Sequence, residues 1–361
     1  MKVLNFSTSL VMISLLINSI SFADEPNTSL QEGKDFLVIC RDGGAGGYEA
    51  FPDVCRLPDG RLFCVFYDGY AHVALPNENH PKGGRISGIF SSDEGKTWSV
   101  PFVVYDSPYD DRDPSIAVID GKKLICNFFS LKPVENQNKR YEGLGTWVIV
   151  SEDMGKKWSE PKQLFPDYYC SSPIRALPNG NLIIPLYTDK RKNGCGAVSI
   201  STDKGVSWCK PIDIDYGDLK LDAEPDICVL KNQNLFIAQR GHSDLTMGYS
   251  LSTDGGNTWS KSEALPFSGH CPYLHRTPTG VLVMGIRYPH KGTYITISID
   301  EAKTWSNPIL VDSCIGAYPS MVTLKDNSIL IVYYEEGEGS NLRARKFNVN
   351  PSGEVQWLSW K

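Results

Sequence analysis

Apolar and polar positions alternate in short runs along most of the chain, and the runs come in pairs. Six paired segments read as β-hairpins: VCRLPDGRLFCVFY, IAVIDGKKLICNFF, IRALPNGNLIIPLY, DICVLKNQNLFIAQR, YLHRTPTGVLVMGIR and MVTLKDNSILIVYYE. Each sets two apolar or alternating stretches around a turn, such as Asp59-Gly60, Asp120-Gly121 or Asn179-Gly180. Period-two patterning about such turns is the strand–turn–strand signature. A proline opens every hairpin, namely Pro52, Pro114, Pro173, Pro225, Pro272 and Pro319. Proline is tolerated at the first residue of a strand, and it is expected to hold the residue before it extended. No stretch carries helical periodicity.

A second repeat runs out of phase with the first. SSDEGKTW, SEDMGKKW, STDKGVSW, STDGGNTW and SIDEAKTW begin at Ser91, Ser151, Ser201, Ser252 and Ser298. Ser and Asp hydrogen-bond the backbone of a tight turn, Gly supplies an unusual φ, and Trp is an apolar plug. Five equivalent copies point to staples in a repeat architecture rather than to five active sites. A further strand precedes each staple (ISGIF, WVIV, TYITI) and another follows it (SVPFVVY). Four strands per unit and six units predict an all-β, six-bladed β-propeller. The last unit lacks a staple after NLRARKFNV, so FLVIC at Phe36–Cys40 is expected to supply its outer strand and close the ring.

Composition refines this picture in a few places. Lys2, the apolar run LVMISLLINSISF and the small residues Ser21 and Ala23 predict a signal peptide over 1–23, leaving 24–361 as a single exported domain. The apolar run is too short to span a bilayer comfortably. A net charge of −6 gives no reason to expect a nucleic-acid partner. Ten cysteines in an exported chain invite a disulfide reading, with Cys55 and Cys64 facing each other across the first hairpin. The alternative is that Cys55, Cys64, Cys126 and Cys228 are small core residues. No CxxC spacing occurs, so neither a zinc site nor a cofactor is expected.

Chemistry must be sought at one mouth of the ring. Residues before each opening proline and after each second hairpin strand gather there: Arg112 and Asp113, Glu224, His270 and Cys271, Tyr318, Asp68 and His72, Arg191, Arg240 and His242, Arg287 and Glu335. Arginines, carboxylates, histidines and tyrosines around a concavity form a candidate site.

The staples resemble the Asp-boxes of sialidases (neuraminidases) and their relatives, over roughly residues 36 to 349. Glu224 in DAEPDICVL, Arg240 in FIAQR, Arg287 in VMGIRY, Tyr318 in GAYPSM and Asp113 in RDPSIAV resemble that family's site in order and spacing. The resemblance implies an exported exo-α-sialidase-like hydrolase acting on a glycan, with Tyr318 as nucleophile and Glu224 taking its proton. Arg240 and Arg287 would grip the sugar's carboxylate, and Asp113, Arg112, His72 and His242 would line the pocket. A neutral tyrosine suits an anomeric carbon beside a carboxylate, which repels an anionic nucleophile, and arginine suits the carboxylate itself. Asp68, at the exit of the first hairpin, is the candidate acid for the leaving oxygen. One departure is plain: Ala50, in Glu49-Ala50-Phe51-Pro52, stands where sialidases place their first arginine. Arg112, Arg85 or Arg191 are the candidates to replace it. Two alternatives stay open. A polysaccharide lyase would use Arg240 on a uronate carboxylate and Tyr318, His72 or His242 as base; a non-catalytic propeller would bind a glycan only.

Overall fold

The computed structural model describes residues 30–136, 139–189, 194–337 and 339–360. The expected leader and Arg191 lie outside the described residues. The described strands form six antiparallel sheets arranged as the blades of a β-propeller, and no helix occurs among the described residues. Blade 1 runs Tyr48–Arg56, Leu62–Gly69, Arg85–Ser91 and Phe102–Tyr105. Blade 2 is built on a long hairpin, Lys123–Asn136 with Lys139–Ser151, that continues past the ring. Blade 3 has a first strand of only two residues, Arg175–Ala176. Blades 4 and 5 begin at Leu221–Val229 and His270–Arg276.

Blade 6 closes the ring. Its third strand, Asn341–Val349, pairs along one edge with Ile329–Glu335. Its other edge takes Leu37–Cys40, as the sequence predicts, and also Val355–Leu358. The outer strand is therefore shared by the two ends of the chain. The amide of Trp360 then donates to the carbonyl of Lys34 at 3.0 Å, tying the ends to each other.

Strand side chains point alternately to the two neighbouring blades, so both faces are buried. That is why Leu62–Gly69 is buried at every position. The apolar clusters sit between blades: Phe63 and Val65 meet Leu124 and Phe128 of blade 2, and Phe66 and Ile89 meet Leu330 and Val332 of blade 6. The staples act at the same seams. In the first, Ser91 Oγ donates to Asp93 Oδ1 at 2.9 Å and accepts from the Gly95 amide at 2.9 Å. Asp93 Oδ1 accepts from the Thr97 amide at 2.9 Å, and Asp93 Oδ2 from its hydroxyl at 2.6 Å. Gly95 adopts φ +83° and lies against Leu330 of the preceding blade. The fifth box keeps this conformation with Ala302, at φ 63°.

Two expectations are corrected. Cys55 and Cys64 are both free thiols. Cys55 lies opposite Phe63 and Cys64 opposite Val54, so consecutive register places the two thiols on opposite faces of the sheet. The residue before the opening proline is not extended either, in five of the six blades. Phe51, Asp113, Glu224, Cys271 and Tyr318 have φ of 52°, 48°, 34°, 43° and 43°. Each sits in a register break of its hairpin, between Ala50 and Asp53, Arg112 and Ser115, Ala223 and Asp226, His270 and Tyr273, and Ala317 and Ser320. A bulge re-aims a side chain, and here it overrides the ordinary pre-proline preference.

Candidate active site

The five bulged residues form the site. Left-handed backbone costs roughly 1–3 kcal/mol per non-glycine residue and gathers where a side chain must be held in an otherwise unfavoured direction. The bulges hold Phe51, Asp113, Cys271 and Tyr318 around the lower funnel, where Ser171 of the unstrained third blade joins them. Glu224 reaches the same place, because the Tyr318 hydroxyl donates to its Oε1 at 3.1 Å.

Glu224, Arg240 and Tyr318 form a compact triad. Arg240 Nη1 lies 2.8 Å from Glu224 Oε1, and the two side chains are 18% and 11% exposed. Burial pushes the Glu224 carboxyl up, but Arg240, Arg287 and the Tyr318 hydroxyl together outweigh it and hold the group below its usual range. The Tyr318 phenol is pushed far up by burial and by the charges of Glu224 and Asp113. At neutral pH the pair is thus a neutral phenol donating to an ionised carboxylate.

Arg287 stands beside Tyr318, its guanidinium 5.9 Å from the ring centroid. Its hydrogen-bond partner is a histidine: Nη2 lies 3.2 Å from His270 Nδ1. His270 Nε2 lies 2.6 Å from the Ser243 carbonyl, which fixes the proton on Nε2 and leaves Nδ1 as the acceptor. Burial and the nearby Arg240 hold His270 below the usual imidazole range, consistent with this neutral form. Among the described residues no carboxylate pairs with Arg287. Glu224 Oε2, Arg240 Nε and Asp113 Oδ1 are likewise buried without hydrogen-bond partners. Orphaned polar atoms of both signs around one cavity are groups prepared for a ligand.

Asp113 lines the funnel with Tyr318. Burial raises its carboxyl to about 7, with Glu224 adding to the rise against the pull of Arg112. Arg112 is buried, donating from Nη1 to Asp110 Oδ2 at 3.3 Å and to the His72 carbonyl, with its guanidinium 5.2 Å from the Phe51 ring. It braces the wall rather than replacing the first arginine. Arg85 does not replace it either, since Nε donates to Asp68 at 2.9 Å and Nη2 to the Gly43 carbonyl at 2.8 Å. Ala50 is fully buried.

Asp68 is not brought to the site. It is fully buried and accepts from Arg85, from Ser87 Oγ at 2.7 Å and from the Ala45 amide at 3.0 Å. His242 lies at the rim, 2.8 Å from Asp222, which is 3.5 Å from Arg240 Nε. His72 is on the opposite rim, its ring edge-on to Phe51 at 5.6 Å, while Phe51 lies 4.8 Å from Tyr318. Glu335 is turned away, pairing with Arg343 and Asn341. Sequence reasoning passed over Tyr48 and Glu336, which bind His72, and Tyr187, whose phenol is raised by burial and then by Glu224 and Asp113. Tyr187 ends the second strand of its hairpin as Tyr67 does, which is the one signal that could have flagged it.

Comparison with known proteins agrees with this architecture. Residues 126–270 match the family model of a BNR repeat-like domain. No curated protein matches the sequence. Among solved structures the chain is similar to a protein of unknown function from Dyadobacter fermentans, at 21% identity and TM-score 0.75 over 88% of this chain and 99% of that one. It is also similar to the intramolecular trans-sialidase of Ruminococcus gnavus, at 14% identity and TM-score 0.66 over 87% and 97%. The NanB sialidase of Streptococcus pneumoniae matches at 15% identity and TM-score 0.66 over 89% and 71%. The class is thus a six-bladed propeller, within which residues 126–270 match the BNR repeat-like model. In shape it is that of sialidases and trans-sialidases, and at these identities the likeness is one of fold.

Proposed function

We propose that the chain is an exported, single-domain, exo-acting sialidase-like glycoside hydrolase that releases a terminal acidic sugar from glycans. The observation that carries this reading is Arg287, a guanidinium without a carboxylate partner among the described residues, beside a tyrosine hydrogen-bonded to a base. Arg287 and Arg240 together offer a seat for a sugar carboxylate. That seat would place the anomeric carbon at the Tyr318 hydroxyl. As the phenol oxygen bonds to that carbon, its proton passes to Glu224 at 3.1 Å and the glycosidic C–O bond breaks. Asp113, which lines the funnel with Tyr318, would face the body of the sugar. Two arginines in place of three would weaken the carboxylate grip, by about 2 kcal/mol for one lost charged contact.

Tyr318→Phe tests this. The variant removes the nucleophile but leaves Glu224 its contact with Arg240, so the fold and carboxylate binding remain. Turnover of a fluorogenic α-sialoside should fall by at least ~10³-fold while the inhibition constant of a non-hydrolysable sugar acid changes less than about threefold. Full turnover by the variant would falsify the tyrosine-linked mechanism. A rise in ultraviolet absorbance with uronate polysaccharides, and no fluorophore release, would hand the site to a lyase.

A further inference from the structure

The reaction proposed above needs a proton at the departing oxygen, yet Asp68 is locked in the wall and Glu224 already serves Tyr318. Resting on that reading, we propose that His72 is the proton-transferring residue, giving a proton from Nε2 to the leaving oxygen and later taking one from the attacking water.

The geometry that supports this lies behind the imidazole. Tyr48 OH is 2.6 Å from Glu336 Oε1 and 2.8 Å from His72 Nδ1. Glu336 Oε1 is itself 3.4 Å from Nδ1, and Glu336 Oε2 accepts from Tyr334 OH at 2.6 Å. Although burial opposes it, Glu336 is held down to about 2 by His72 and the two phenols, so it is ionised. A phenol has one proton. Tyr48 gives it to the carboxylate, and its oxygen therefore accepts from Nδ1–H. The neutral ring is fixed as the Nδ1–H tautomer, with its lone pair on Nε2. When Nε2 is protonated, the adjacent carboxylate stabilises the imidazolium. This is the arrangement of a general acid–base histidine with an orienting carboxylate.

The ring is also placed for the task. Its side chain is 53% exposed, and Nε2 is on the ring edge away from Tyr48 and Glu336, which both approach Nδ1. Phe51 lies between His72 and Tyr318, at 5.6 Å from the first ring and 4.8 Å from the second. The loop is pinned to the funnel because the His72 carbonyl accepts from buried Arg112.

The proton balance closes. In the first half, the glycosidic C–O bond breaks as Tyr318 bonds to carbon, and the leaving oxygen keeps the electron pair and takes the Nε2 proton. In the second half, water bonds to the anomeric carbon as the Tyr318–carbon bond breaks, giving its proton to neutral Nε2, and the phenolate recovers its proton from Glu224.

Leaving-group dependence tests the role. The purified full chain and its His72→Ala variant are assayed on a 4-methylumbelliferyl α-sialoside, whose leaving group departs unaided, and on a sialyllactose, whose leaving sugar needs a proton. The variant should lose about 100-fold or more in kcat/KM on the sugar-linked substrate and less than about tenfold on the aryl one. Added azide, which attacks without a base, should raise turnover of the aryl substrate by the variant. Glu336→Gln should show the same selectivity at smaller amplitude, and melting curves check that both variants fold. Equal losses on the two substrates, or the same selectivity appearing in Asp113→Asn instead, would overturn the assignment. Wild-type silence on both sialosides would bring down the hydrolase reading and this role with it. An active wild type with an indifferent His72→Ala would remove this role alone.

Discussion

Arg240→Met exposes how much of the site is held by one charge pair. Arg240 and Glu224 approach to 2.8 Å with little exposure. With charge centres about 4 Å apart and an effective dielectric near 20, their attraction is about 4 kcal/mol. Methionine fills the volume but leaves a buried carboxylate, and breaking such a pair typically costs about 3–5 kcal/mol. The Tyr318 hydroxyl and Arg287 still face Glu224, which argues for the low end, about 3 kcal/mol. Over roughly 330 folded residues at about 2.1 cal/mol/K each, that lowers Tm by about 4 °C.

The penalty should depend on pH in a defined direction. Burial is the largest influence on Glu224, and Arg240 is the largest influence opposing it. Without Arg240 the folded carboxyl rises above its unfolded value, so the native state binds a proton that the unfolded chain does not. The loss is then full near pH 8 and shrinks as pH falls toward 5. Calorimetry at both pH values measures this, with Glu224→Gln/Arg240→Met completing a double-mutant cycle. The double variant should be more stable than Arg240→Met alone, with a coupling of about 2 kcal/mol. A pH-independent penalty, or strict additivity, would refute the reasoning.

Three further outcomes are expected. Wild-type Tm should rise as pH falls from 8 to 6.5, because burial raises Glu49 to about 8 and Asp111 and Asp113 to about 7. These groups take up protons in the native state while the unfolded carboxyls stay ionised, so a falling Tm over that window contradicts the assigned shifts. His270→Ala should raise KM for an acidic substrate about tenfold with a smaller change in kcat, since it frees Arg287 without touching Tyr318, and His270→Gln should recover most of the loss; a change confined to kcat would argue against a positioning role. Ser91→Ala removes the buried acceptor of the Gly95 amide and should cost about 1–2 kcal/mol by denaturant melting while kcat stays unchanged.

The hairpins were legible because their turns and period-two runs are local signals, and the staples because they recur. Ring closure by Leu37–Cys40 followed from counting strands. The partner strand Val355–Leu358 did not: a hairpin turn at Asn350-Pro351-Ser352-Gly353 announces it, with Gly353 at φ +85°, but VQWL is short and lies beyond the strands that six four-stranded units require. The funnel was located by the prolines, yet the reason it works was hidden. Pre-proline residues are ordinarily extended, whereas the register breaks at Phe51, Asp113, Glu224, Cys271 and Tyr318 depend on how each hairpin packs against its neighbours. Asp68 misled because strand exit alone does not fix side-chain direction; Arg85 and Ser87, partners from the third strand of its own blade, turn it into the wall. The linked group of Tyr48, His72 and Glu336 joins residues separated by up to 288 positions, beyond the reach of any local pattern.

The shared outer strand of blade 6 has a consequence for how the ring comes into being. Leu37 pairs with Ala344, so the last hydrogen bonds of closure join segments from opposite ends of the chain. Contacts this distant in sequence are slow to form, and until they do the start of strand Asn341–Val349, up to Ala344, presents an open edge that Val355–Leu358 does not cover. A second molecule in the same unlatched state offers that edge an equivalent Leu37–Cys40. Exchange of this clasp between two copies is the misassembly to which such a ring is most exposed, and trimming the chain past Cys40 would leave Leu342–Ala344 permanently unpaired on that edge.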